Sequence, residues 1–371
     1  MKRIICVILA LIYIFTLFAC GGGTEKAANG ENDDTSSKSI NYGIIPGDYI
    51  FDKPYGTIVK YNVHTGEMTT LCPDPFCTHD DGRCQFYRIG SNSFTSIGNT
   101  VYYITTDEAT GKTAVFSFDA DTAETKTVYS SDGIFSRIYS YEYKLFIYRL
   151  EGSYRGAKGS YVWYDTKTGK TEELCKDQIP QNYVFEDIID DRIIWRPFAE
   201  YEYYSTNLKG EDFKEYDFGY RYGNHYEYVE ETGEDGSIHT NLYVTLKNET
   251  ERKLLIDNPQ YVQFCENKII YTKTIPYKEW KVFYYGDGKY TERDPSCGNV
   301  YIMDPDGTDD HLLFHTDECI ADILQEHDKQ TTRCGDYYGI HIWSFKDDTD
   351  YINMLIVNLN TGEYVISGPD R

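Results

Sequence analysis

Seven times along this chain a short pattern returns: a run of aromatic and β-branched residues, a turn rich in Asp, Asn, Thr and Gly, and a second run. Four copies stand at residues 58–71 (IVKYNVHTGEMTTL), 115–128 (VFSFDADTAETKTV), 161–174 (YVWYDTKTGKTEEL) and 203–216 (YYSTNLKGEDFKEY). A weaker one is 242–255 (LYVTLKNETERKLL), and the last two are 300–314 (VYIMDPDGTDDHLLF) and 354–366 (MLIVNLNTGEYVI). A hairpin needs a residue that tolerates positive φ at its turn, and Gly does so without a steric cost, with Asn or Asp as substitutes. Gly66, Gly169, Gly210, Gly307 and Gly362 fit this rule, as does Asn248, while Ala123 breaks it. Successive turn positions lie 57, 46, 41, 38, 59 and 55 residues apart, which leaves room for two more strands each time. Residues 99–105, 143–150, 191–198 and 267–274 read as such strands. Tyr, Phe, Val, Ile and Thr favour strands, and the chain holds 37 Tyr and 18 Phe. No long stretch shows helical periodicity; the nearest, around 325–329, is short. The chain is therefore expected to be all-β. Four strands per unit of about 40–50 residues is the signature of a β-propeller blade. Seven hairpins predict seven blades, with six or eight if a degenerate blade is miscounted.

The N-terminus reads differently. Lys2 and Arg3 precede an apolar run over residues 4–18, broken only by Thr16, which ends in Leu17-Phe18-Ala19-Cys20. Such a run is short for a permanent transmembrane helix and has the flanks of a secretory signal. A cysteine at the cleavage point after a small residue resembles the bacterial lipobox. That resemblance implies a signal peptide over 1–19 and a lipid on Cys20. Residues 21–39 (GGGTEKAANGENDDTSSKS) hold no large apolar side chain, so they cannot bury enough surface to offset the entropy of ordering. With Cys20 they read as a lipidated, flexible tether over 20–39, and 40–371 as a single propeller domain.

Two further resemblances attach to these residues. The segment 299–314 (NVYIMDPDGTDDHLLF) is similar to the repeat of TolB-type, WD40-like propellers, in which an Asp-x-Asp-Gly turn leads to a leucine. The lipobox, acidic tether and Tyr-rich blades together resemble propeller lipoproteins of Firmicutes. The resemblance covers nearly the whole mature chain, but its motifs are structural, so it implies a scaffold and not a reaction.

Charge narrows the partners. Once Lys2 and Arg3 leave with the signal, 34 basic residues face 60 acidic ones, a net charge of −26. Nucleic acid demands a basic face, so it is excluded as a partner. An anionic membrane would repel the domain too, which leaves the lipid as the only membrane attachment, on the outer face of the cell membrane.

Beyond Cys6 and Cys20 there are eight cysteines: Cys72, Cys77, Cys84, Cys175, Cys265, Cys297, Cys319 and Cys334. Three of them cluster with a histidine as Cys72, Cys77, His79 and Cys84. Three thiolates and an imidazole could close a tetrahedral zinc site. A disulfide is the competing reading, since exported proteins meet oxidants, with Cys77 and Cys84 closing a small loop. Reduced thiols in an anaerobic habitat are the third. In each case the cluster would staple a long connection between the first two blades.

The turn at residues 304–310 (DPDGTDD) alternates carboxylates in the manner of a calcium loop, but it lacks the later bidentate Glu and sits where the other blades have plain turns. It reads as a hairpin turn. No nucleophile elbow, zincin motif, phosphate loop or dinucleotide fingerprint occurs. Two segments read as insertions: 275–297, and the acidic, aromatic run 221–236. Loops on a rigid scaffold commonly carry binding, and Trp280, Tyr284 and Tyr285 could stack on a sugar or a partner's apolar patch. The expected function is non-enzymatic recognition of an extracellular protein, peptide or glycan. The alternative is a propeller-type polysaccharide hydrolase or lyase.

Overall fold

The computed structural model describes residues 42–367 except 55, 80–82, 88, 91–92, 107–111, 152–157, 175–178, 180–182, 198–201, 234–235, 274–280, 285–289, 294–298, 316–318, 323–331 and 347–348. The signal, Cys20 and the tether lie outside the described residues. All regular secondary structure described is β, arranged as seven antiparallel blades that follow one another around a ring. The fold is a seven-bladed β-propeller. Blades 2 to 6 (residues 94–130, 134–173, 183–215, 220–256 and 259–315) each have four strands. Blade 1 (49–70) shows three, the counterparts of the second, third and fourth strands elsewhere because its turn at Asn62 joins the last two, and blade 7 (319–367) has four plus the short strand Arg333–Cys334.

Both faces of each blade pack against neighbours, which is why the inner strands read as apolar runs. Arg192–Pro197 (RIIWRP) is one example. Its Trp195 is wholly buried, meets Tyr161 edge to face at 5.2 Å, and donates its indole N–H to Thr206 Oγ1 at 2.9 Å.

The hairpins that organise the sequence share one turn chemistry. Asn62, Asp119, Asp165 and Asn358 each accept two backbone N–H bonds on Oδ1, from the residues two and three places on. Each also accepts a bond on its carbonyl from the residue four places on, which has positive φ. That residue is Gly66, Gly169 or Gly362 in three cases and Ala123, at φ 58°, in the fourth. Ala123 therefore departs from the rule in residue type only, because it adopts the backbone the turn demands. A left-handed conformation costs an L-residue about 1 kcal/mol. Ala123→Gly is expected to recover up to about 1 kcal/mol, less the extra entropy Gly gives the unfolded chain. Equilibrium urea unfolding measures it; a lower midpoint would show that the alanine is not strained.

Among the described residues, no blade takes strands from both ends of the chain: blade 1 is built from the first strands and blade 7 from the last, so side chains must hold the join. Ile50, Val59, Tyr61 and Val63 of the first blade pack with Cys334, Met354 and Ile356 of the seventh. His341 Nε2 meets Asp52 Oδ2 at 2.7 Å, both largely buried, and His64 meets Tyr337 edge to face.

One sequence expectation is corrected here. The run 221–236 is not an insertion: most of it is regular blade 5, in the strands Tyr220–Arg221 and Asn224–Thr232. Tyr222 and Tyr226 are buried against Phe264 of blade 6. Their aromatic content serves the core between blades.

A candidate metal centre on the long-loop face

Because successive strands of a blade run antiparallel, their connections alternate between the two faces of the ring. The turns from first to second and from third to fourth strand share one face, and they are short. Examples are Gly98–Asn99 in blade 2 and the Asx turns above. The opposite face carries the second-to-third connections and the links between blades, and here the chain spends its length. Two connections stand out on that face: 71–93, from blade 1 to blade 2, and 274–298, within blade 6.

The second is a true insertion. Ile269–Lys273 and Asn299–Met303 pair directly as adjacent strands, while Lys281–Tyr284 and Tyr290–Arg293 pair only with each other as a separate ribbon. Tyr284 ends the first ribbon strand opposite Tyr290. Trp280 and Tyr285 lie outside the described residues.

The connection 71–93 brings the cysteine cluster together. Leu71 is buried at its start and anchors the strand end, and Phe86 and Ile89 are buried at its close. The Sγ atoms of Cys72, Cys77 and Cys84 and a ring nitrogen of His79 all lie within 4.8 Å of one another. His79 Nδ1 stands 3.6 Å from Cys84 Sγ, and His79 holds a positive φ of 58° to reach it. Zinc with bonds near 2.3 Å to sulfur sets tetrahedron edges of about 3.8 Å, so the four ligand atoms need move inward by only about 1 Å. The donor set fits the metal. No disulfide joins Cys72, Cys77 and Cys84, and none engages Cys265 or Cys334. Cys175 and Cys297 lie outside the described residues.

The surroundings also suit thiolates. The Asp74 N–H points to the Cys72 sulfur and the Phe86 N–H to the Cys84 sulfur. Burial pushes the Cys84 thiol up, but hydrogen bonding from His79, Phe86, Thr57 and Cys77 outweighs it and brings the thiol down to about 7. For Cys72 burial prevails, with the neighbouring sulfurs adding to it, and the thiol rises to about 11. Two contributors come from blade 1 and were missed in the sequence. Thr57 Oγ1 lies 3.7 Å from Cys84 Sγ. Lys53 donates to the carbonyls of Tyr87 and Ile89 and sets its positive charge beside Cys84. No sequence signal marks them, because they belong to a different connection. Such outer partners orient ligands and balance charge.

The acidic turn at 304–310 behaves as a hairpin. Lys268 Nζ lies 2.7 Å from Asp304 Oδ1 and 3.3 Å from Asp309 Oδ2. Asp306 Oδ1 accepts from Thr308, and Asp310 from the Tyr271 hydroxyl. A lysine ammonium thus stands where a calcium ion would have to sit.

The sequence matches no protein-family model and no curated protein. Among solved structures, the β-propeller domain of the Trilobed protease from Pyrococcus furiosus is 13% identical, with a TM-score of 0.41 over 89% of this chain and 98% of that one. An oligogalacturonate lyase from Vibrio parahaemolyticus is 12% identical, with a TM-score of 0.41 over 91% and 93%. The AtxE2 isopeptidase is 10% identical with a TM-score of 0.41; the match covers 90% of this chain, which spans about half of that one, 53%. No chemistry passes to this chain at such distances. What its own fold and site define is a seven-bladed propeller with a Cys₃His cluster on its long-loop face.

Proposed function

We propose that this protein is a lipid-anchored recognition propeller at the outer face of the bacterial cell membrane, held by acylated Cys20 and a tether over 20–39. Its long-loop face binds an extracellular protein or glycan, and zinc on Cys72, Cys77, His79 and Cys84 staples that face. The observation that carries this reading is the division of labour between the two faces. The metal cluster and the blade 6 insertion share one face, whereas the first described residues, 42–48, run along the other. A tether preceding residue 42 would leave from the short-turn face and present the long loops away from the membrane. The net charge of −26 on the mature chain keeps the domain off an anionic surface, which leaves attachment to the lipid.

The test is a glycan array probed with a soluble form spanning residues 40–371, beside a version in which 275–297 is replaced by a short turn. Binding by the first and its loss in the second, with unchanged thermal unfolding, is expected. Binding that survives the replacement would move recognition off this face. Shortened saccharides released by the soluble form would favour the hydrolase or lyase alternative.

A further inference from the structure

Residues 42–48 belong to no blade, yet Tyr42 and Gly43 are buried and Ile44, Ile45 and Gly47 half-buried against the ring, while Pro46 and Asp48 stay exposed. Fully extended, seven residues reach about 23 Å. Over that length the segment meets the first-to-second strand turns of blades all round the ring. Tyr42 is buried in one cluster with Ile189, Tyr222 and Phe264 of blades 4, 5 and 6. Its hydroxyl donates to the Phe264 carbonyl at 3.2 Å. The Gly43 carbonyl accepts from Glu142 N–H of blade 3 at 2.6 Å. Gly47 N–H donates to Cys334 Sγ of blade 7 at 3.2 Å, and Asp48 N–H donates to Asn99 Oδ1 of blade 2 at 2.7 Å. First strands are innermost in a propeller, so their turns encircle one mouth of the central channel. A segment touching those turns in six blades crosses that mouth.

From this we infer that residues 42–48 are a strap that closes the open ring and seals the channel at its short-turn face, leaving the long-loop face as the channel's approach. Two details say the strap is built in rather than laid on. Gly43 has φ 65°, and a Cβ there would fall 2.6 Å from the Tyr141 ring, so only glycine fits. Arg333 is 4% exposed, with its guanidinium 4.1 Å from the centre of the Tyr42 ring and one N–H on the Phe264 carbonyl at 3.3 Å. Its Nε and Nη1 are buried with no hydrogen-bond partner among the described residues. A buried guanidinium costs stability unless something compensates it, and here the Tyr42 ring face supplies part of that compensation, beside the Tyr338 ring at 5.3 Å and the opposite charge of Glu266. The strap also supplies a single covalent piece that touches blade 7 and leads directly into blade 1.

Cys334 reports on the strap. It is buried beneath Gly47, and burial pushes its thiol up to about 11, so it should react slowly while the strap is seated. The experiment labels the full chain with a maleimide, maps labelled cysteines by mass spectrometry, and follows amide exchange of Arg192–Pro197 as the measure of global opening. Gly43→Val and Tyr42→Ala should each speed labelling of Cys334 by about 10-fold or more, from one lost hydrogen bond and one lost cation–π contact, with exchange of Arg192–Pro197 unchanged. Should either variant fail to fold, Tyr42→Phe keeps the ring over Arg333 and loses only the hydroxyl, and it should still give a smaller acceleration. Unchanged Cys334 labelling in folded variants would overturn the strap. So would an acceleration matched step for step by Arg192–Pro197 exchange, since the segment would then have no opening of its own.

Discussion

Cys84→Ser is expected to abolish stoichiometric metal binding and to destabilise the first two blades more than any other surface-loop substitution in the chain. Purified wild-type protein should carry about one zinc per chain, and a chelator should reproduce the effect of the substitution. A metal present at a thousand times its dissociation constant adds about 4 kcal/mol to folding, and that is the loss to look for in urea unfolding with and without chelator. The same comparison separates metal from disulfide, because a reductant would produce the loss only if a disulfide were the staple. Absence of stoichiometric metal would remove zinc from the account. The pH dependence has a definite sign. In the metal-free chain the Cys84 thiol lies at about 7, below its ordinary 9.0. The stability it contributes is present above the unfolded value and lost as pH falls through about 7. The Cys72 thiol, raised to about 11, works in the opposite sense, and its contribution is lost as pH rises through that value. Metal must displace protons from both, so affinity should fall steadily with acid.

Trp195→Ala is expected to cost about 3–5 kcal/mol, the range for removing a large aromatic from a closed core. Trp195 heads the fully buried side chains by volume, with Tyr161 and Phe185 against its ring. Its loss also strands the Thr206 hydroxyl, which accepts the indole N–H within the core. A shifted urea midpoint at unchanged slope would report this as lost stability. A loss below about 1 kcal/mol would mean that the core between blades 3 and 4 collapses to fill the space.

The hairpins were legible because their information is local. A strand run, an Asx side chain that bonds its own backbone two and three residues on, and a residue at positive φ are all set within about ten positions. That regularity extends to Ala123, whose neighbours impose the turn against its own preference. The run 221–236 was misread for a related reason. Its charged residues suggested a surface loop, whereas the alternation in Asn224–Thr232, with Asn224 and Tyr226 turned inward, was the strand signal.

The sequence by itself determined the all-β class, the repeat and its count, and the grouping of Cys72, Cys77, His79 and Cys84, since each depends on residues close together along the chain. Only the tertiary structure decided that Thr57 and Lys53 complete the surroundings of that cluster, that the ring closes on side chains, and that residues 42–48 cross the channel mouth to meet Phe264 and Arg333. Those contacts join positions up to some 290 residues apart. They exist only because seven similar units return the chain to its starting point, and nothing in the chemistry of one unit specifies what the ring will place beside it.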